Sequence, residues 1–272
     1  MEEKYNQNDN EVNKILKELA YENLWYIENR WTVEEQKVNA LRAANKILAI
    51  VSGKTTETPT ETEPIGPGTD PPEIHPVENF TPPEWLVESD TFPIVGRRFS
   101  PAEFIEYVKW VRGNEPYTWH PKGITMHHTA FPDLPMRPNG FTEQHMLNMR
   151  HGYLNDNKWR HGPHIFVDNH GIWVFNPLSI QGVHAVSYNS TRYGIEILGN
   201  FDKPEEFHSD RGIASILNGK FAAAVLMKHA GISRSKLNFH RHDPETSKTC
   251  PGLLIDFSGF EEEVLTMVDQ MD

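Results

Sequence analysis

The sequence has few of the features that define several common protein classes. Cys250 is the one cysteine in 272 residues, so the chain has no internal disulfide framework. It has no apolar run of about 18 residues, which argues against a transmembrane helix. The first residues are acidic and polar, so we expect no signal peptide. Basic residues are in deficit, and the net charge of −12 argues against loose binding to nucleic acid or an anionic membrane.

Histidine, in contrast, is abundant, with 14 residues against one cysteine. Imidazole is both a common metal ligand and a general acid or base near neutral pH. The composition therefore points to metal or acid–base chemistry.

The N-terminal residues 1–53 predict a helical hairpin. Apolar residues recur at three- and four-residue steps through residues 9–30, which gives one apolar stripe. Thr32 begins a second helix with an apolar stripe of its own, and Gly53 ends that helix. Because two such helices are too small to bury a large core alone, we expect them to self-associate or to dock elsewhere.

Residues 54–79 predict a flexible linker rich in proline, threonine and glutamate. They hold six prolines and almost no large apolar side chain. Such a segment cannot bury enough surface to offset the entropy of ordering. The alternative is a long ordered loop over the next domain, although structureless loops of this length are uncommon in compact folds.

Residues 80–272 predict an α/β domain with a mixed central β-sheet flanked by helices. Ser100 and Glu103 form a capping box, and Thr142 is expected to cap a further helix. Strands are expected at 123–128, 164–168, 172–175 and 193–198, and helices at 209–229 and after a cap at Ser258. Interleaved strands and helices are typical of a sheet covered on both faces.

One late segment has the residue types of a metal site. His240 and Cys250 are ten residues apart in a stretch rich in turn formers, so both could reach one zinc ion if the loop folds back. His127 on the 123–128 strand is the best third donor, and strand alternation points His128 to the other face. Two histidines and one cysteine leave an open fourth position, which is typical of catalytic zinc. The competing interpretation is a set of solvated loop histidines.

Five blocks in order resemble the type 2 N-acetylmuramoyl-L-alanine amidases, a zinc-dependent family that includes phage lysozyme-like amidases and peptidoglycan recognition proteins. The resemblance covers roughly residues 90–260. The blocks are Ile124-Thr125-Met126-His127-His128-Thr129-Ala130, Gly162 to Val167, Gly182-Val183-His184-Ala185, Gly194 to Gly199, and His240 to Gly252.

The resemblance implies a zinc ion held by His127, His240 and Cys250. His242 competes with His240, because some family members space these two ligands by eight positions; the surroundings of His240 favour it. A cytosolic recycling amidase is a further alternative within the family, although those relatives typically carry Asp at the position of Cys250.

The resemblance also implies catalytic roles. Glu196 stands at the position of the family's strand glutamate, and Lys248 stands two residues before the third ligand. Other members use a tyrosine where this chain has Pro163, so that version of the mechanism is absent. His164, His184 and Asn189 are weaker candidates for substrate binding.

The implied activity is hydrolysis of the amide between N-acetylmuramic acid and L-alanine in peptidoglycan. The setting expected is a phage endolysin that causes cytolysis, acting from the host cytoplasm on the cell wall, or a virion component. The alternatives are a catalytically weak peptidoglycan-binding protein and a virion structural module that carries a wall-degrading domain.

Truncation tests the predicted domain boundaries. A chain that starts at Phe80 is expected to fold, to bind zinc and to cleave soluble muropeptides at close to the full-length rate, because the linker predicts an independent module. On intact walls it should be slower, since the N-terminal helices no longer localise it. Circular dichroism and a muropeptide assay check this; an insoluble fragment would show that the apolar stripes belong to the catalytic core.

Overall fold

The structure, a computed structural model, describes residues 80–271, and the predicted hairpin (1–53) and linker (54–79) lie outside the described residues. In the part that is described, six strands form one mixed sheet in the order β1-β4-β3-β5-β2-β6. The strands are β1 (Arg97–Phe99), β2 (Gly123–His128), β3 (Ile165–Asp168), β4 (Gly171–Val174), β5 (Arg192–Ile197) and β6 (Leu237–Phe239). β4 runs antiparallel to β1 and β3, and the other neighbours are parallel.

Except for the short α3, the helices of the described residues begin where the sequence supplies a capping side chain. They are α1 (Pro101–Asn114), α2 (Glu143–Asn155), α3 (Pro204–Phe207), α4 (Asp210–His229) and α5 (Phe257–Gln270), with a short 3₁₀ turn at His240–His242. Ser100 and Glu103 form the reciprocal capping box of α1. Thr142 and Ser209 cap α2 and α4 through their hydroxyl oxygens.

Strand alternation gives the two faces of the sheet different surroundings. On one face, Met126 and Ile197 pack under α4, where Gly219 allows close approach: a Cβ there would lie 2.9 Å from Ile197. On the other face, Phe166 and Trp173 pack beneath α2. His127 and Glu196 are paired neighbours on this second face, so the sheet continues from an apolar region into a polar one.

The predicted mixed sheet flanked by helices is confirmed, and the strands expected at 164–168 and 172–175 are observed as β3 and β4, which pair antiparallel across a short turn. The cap expected at Ser258 was wrong, because Asp256 caps α5 by accepting the Gly259 N–H at 2.7 Å. The sequence did not predict the three-residue strands β1 and β6. None of the helices among residues 80–271 is long and apolar enough to cross a membrane.

Asp168, at the end of β3, is a buried carboxylate that accepts four hydrogen bonds. One oxygen accepts the His170 and Gly171 N–H groups at 2.7 and 3.1 Å. The other accepts the Phe141 N–H at 2.6 Å and the Trp173 indole N–H at 3.3 Å. The carboxylate therefore joins this turn to the loop before α2.

Asp168→Ala should lower the free energy of unfolding by about 3 kcal/mol, because it leaves buried donors without an acceptor. Urea denaturation measures the change. Asp90→Ala, at an exposed aspartate, is the control and should stay within about 0.5 kcal/mol of the parent. Equal stabilities for the two variants would contradict a structural role for Asp168.

Candidate active site

Two parallel strands bring the first two candidate ligands together. β2 and β6 pair with Met126 opposite Phe239. The residues that follow, His127 and His240, therefore lie side by side, with their Nδ1 atoms 3.1 Å apart. Both side chains are buried, at 2% and 8% exposure.

The loop after the 3₁₀ turn returns Cys250 to the same point, and Arg241 holds that return. The backbone N–H of Arg241 donates to the Cys250 carbonyl at 2.8 Å. Its guanidinium donates to the carbonyls of Gly252 and Ile255 at 2.7 and 2.8 Å. As a result, the Cys250 Sγ lies 3.7 Å from the His127 Nδ1.

Among residues 80–271, His127, His240 and Cys250 form a buried group that could hold a metal ion, with ligand atoms all within 4.8 Å of one another. His242 is not in this group. Its Nδ1 accepts the backbone N–H of Phe239 at 3.3 Å, and its ring stacks on the Phe239 ring. The structure thus places His240, not His242, beside the other two.

Burial sets the protonation of the cluster. Burial, followed by the nearby imidazoles and the charge of Lys248, holds the pKa of His127 well below its ordinary value. Burial and Lys248 also lower the pKa of His240. The same burial raises the pKa of the Cys250 thiol well above its ordinary value. The two histidines are therefore neutral donors, and a metal ion must displace a proton from the thiol.

Glu196 lies next to the cluster on β5. Its Oε1 is 3.7 Å from the His127 Nδ1, and its side chain is 16% exposed. Burial raises the pKa of Glu196 to about 8, and the positive charge of Lys248 opposes that rise. Lys248 is itself exposed on the loop before Cys250, close enough for its charge to act on all these groups.

His184 contacts the cluster at the Nε2 side of the His127 ring. Its Nδ1 lies 3.0 Å from the Nε2 of His127, and its Nε2 lies 2.9 Å from the Arg192 carbonyl oxygen. Burial lowers the pKa of His184 to about 4, so the ring is neutral near pH 7. Asn189 fixes the backbone here by accepting the N–H groups of His184 and Ala185 at 2.6 and 2.8 Å.

His164 lies further from the cluster than His184 does, and it is fully buried. Its Nε2 bonds the Ile180 carbonyl at 3.1 Å, and its Nδ1 accepts the Gly194 N–H at 3.2 Å. The ring also stacks on Trp119. Both ring nitrogens are thus occupied by backbone groups, which leaves neither for a substrate.

Two interactions around the site, one a hydrogen-bonded contact and one electrostatic, were not anticipated from the sequence. Asp243 accepts the Ser187 hydroxyl at 2.6 Å and its N–H at 3.1 Å, which ties the His184 loop to the His240–Cys250 loop. Tyr153 of α2 lies where the charge of Glu196 adds to burial in raising its pKa. Tyr153 follows Met146 by seven residues and Met149 by four, which is the spacing of one helix face, but no local pattern says which strand that face meets.

Known proteins resemble this chain in sequence and in fold. The family model described as N-acetylmuramoyl-L-alanine amidase (Amidase_2) matches residues 117–253, half of the chain. Among solved structures, the catalytic domain of XlyA is 26% identical, covering 55% of this chain and 90% of that one, with a TM-score of 0.41. The endolysine amidase LysCS from Clostridium intestinale URNW is 24% identical over 55% of this chain and 87% of its own (TM-score 0.42). Drosophila PGRP-SA is 18% identical over 57% and 88%, with a TM-score of 0.43. Among curated proteins, no sequence match reaches significance.

A pair of alanine variants separates the two candidate histidines. His240→Ala should abolish stoichiometric binding of added Zn²⁺, because it removes one of three clustered donors, whereas His242→Ala should bind the ion with little change. Metal content after gel filtration checks both, and the parent chain should lose its ion in acid as protons compete for the donors. Zinc retained by His240→Ala and lost by His242→Ala would reverse the assignment.

Proposed function

The chain belongs to the N-acetylmuramoyl-L-alanine amidase family, and on that premise we propose that it is a zinc-dependent hydrolase of the amide between N-acetylmuramic acid and L-alanine in peptidoglycan. The observation that carries the proposal is the convergence of His127, His240 and Cys250 beside the carboxylate of Glu196. A sheet built only for stability does not need two neutral imidazoles, a thiol and a carboxylate in one buried place.

The donor set fits zinc. Zn–N bonds of about 2.0–2.1 Å and Zn–S bonds of about 2.3 Å in a tetrahedron separate two nitrogens by about 3.3 Å and nitrogen from sulfur by about 3.6 Å. The corresponding distances are 3.1 Å between the Nδ1 atoms and 3.7 Å from Cys250 to His127. Three protein ligands leave the fourth position for water or substrate, which suits a catalytic site rather than a structural one.

When bound, zinc polarises the scissile carbonyl and makes an attacking water more acidic, toward a pKa of about 7. The ionised form of Glu196 would accept the proton that the water gives up and would deliver it to the leaving amine of L-alanine. Its position, 3.7 Å from a ligand atom and at the edge of solvent, suits both transfers. The ammonium of Lys248 stabilises the negative charge that develops on the carbonyl oxygen.

We further propose that the biological setting is wall lysis by a phage-type lysin, which acts from the host cytoplasm or as a virion component. The support is the family, which includes phage amidases, and the intact donor set disfavours a role in binding alone. Immunoblotting of purified virions against host lysate distinguishes the two locations. Self-association through residues 1–53 stays a prediction.

The products identify the bond that is cut. Mass spectrometry of digested peptidoglycan should show a new L-alanine amino terminus and no new reducing sugar ends. New reducing ends would indicate a glycosidase, and zinc binding without any cleavage of dye-labelled walls would indicate a binding protein.

Glu196→Gln should lower turnover by about 10²–10⁴-fold, the usual contribution of a positioned general base, because the amide cannot accept the proton. Zinc content and melting temperature should stay near the parent values. The matched control is Glu205→Gln, at an exposed carboxylate on α3, which should leave turnover unchanged. Near-parent turnover in Glu196→Gln would move the proton transfer to another group.

A further inference from the structure

A hydrogen-bonded chain leads from the backbone of β5 to the metal cluster. The Arg192 carbonyl oxygen is 2.9 Å from the Nε2 of His184, and the Nδ1 of His184 is 3.0 Å from the Nε2 of His127. We propose that His184 is a positioning residue, not a substrate contact: it fixes the tautomer of His127 so that Nδ1 of His127 presents a lone pair to the metal. The inference rests on the proposed function only in treating the cluster as a metal site.

The chemistry of the acceptors fixes the direction of both hydrogen bonds. A backbone carbonyl only accepts, so the proton of neutral His184 must be on Nε2. The Nδ1 of His184 is then an acceptor, and the proton in the second contact must belong to Nε2 of His127. A neutral imidazole has one N–H, so Nδ1 of His127 carries a lone pair. That atom is the one nearest His240 and Cys250.

The fold holds the His184 ring in the position that this requires. The ring lies against Gly194, where a Cβ would come within 2.5 Å of its Cγ, so glycine leaves the room the ring occupies. The ring meets His127 edge to face, at 5.1 Å between centroids and 84° between planes. Asn189 fixes the backbone of His184, and the Ser187–Asp243 contacts join this loop to the loop that carries Cys250.

In metal sites, a histidine ligand usually donates the N–H of its other ring nitrogen to a further group. His184 occupies the position of that group beside His127. Partners of this kind orient the ring and increase its basicity, and their loss typically costs about 10–100-fold in metal affinity. In this chain the partner is another imidazole whose own proton is committed to a carbonyl. The tautomer of His127 is therefore set by the carbonyl oxygen of Arg192, which lies two hydrogen bonds away from it.

The test uses the full chain and measures zinc affinity by competition with a chromogenic chelator. His184→Leu keeps a similar bulk but leaves the Nε2–H of His127 without an acceptor, and should weaken zinc binding by about 10–100-fold. In His184→Asn the side-chain oxygen replaces Nδ1 as acceptor, and affinity should return to within a few-fold of the parent. His145→Leu, at a half-buried histidine on α2 outside the cluster, is the matched control and should not change affinity.

The two variants separate positioning from packing. Parent-like affinity in His184→Leu would overturn the proposal, and so would an equal loss in both variants, since the asparagine then restores nothing. Melting temperatures recorded alongside show whether either variant is destabilised.

A second measurement needs no variant and so does not depend on whether His184→Leu folds. Long-range ¹H–¹⁵N correlation spectra of the metal-free chain distinguish the imidazole tautomers, and His127 should carry its proton on Nε2. A proton on Nδ1 of His127 would overturn the proposal. A parent chain that binds zinc with this tautomer but hydrolyses no peptidoglycan would refute the proposed function and leave the inference standing.

Discussion

Parallel pairing of β2 with β5 on one side and β6 on the other is the constraint on which the site depends. The β5 register puts Glu196 beside His127, and the β6 register delivers His240 to the same point. Because side chains alternate along a strand, β2 gives Met126 to the core and His127 to the site. A slip of one residue would exchange these faces, so packing of the apolar face also holds the side chains of the candidate site in register.

Local signals in the sequence predicted the parts of the fold that depend on neighbouring residues. The capping box at Ser100 and the cap at Thr142 work within one turn of a helix, and the structure has both. The mixed sheet followed from the alternation of strand and helix patterns. β1 and β6 could not be predicted in this way, because each has three residues and exists through pairing with a distant strand.

The same difference between local and long-range interactions decides which parts of the candidate site could be predicted. The resemblance supplied His127, His240, Cys250, Glu196 and Lys248; it also allowed His242 through the ligand spacing of some family members, although the surroundings of His240 favoured His240. Strand register brings His240, not His242, beside His127, and register is a long-range property. The contacts of His184 and the position of Tyr153 likewise depend on which loops and helices meet, which no local pattern encodes.

Arg241 has a consequence for how the loop between His240 and Cys250 keeps its shape. The guanidinium closes the segment between His240 and Cys250 by binding carbonyls beyond its end, so these protein contacts offset part of the entropic cost of closing that loop. Small zinc domains depend on the ion for this step and unfold when it is removed. In this domain the three clustered side chains are gathered by contacts among protein groups, so an ion bound among them would not have to close the loop itself.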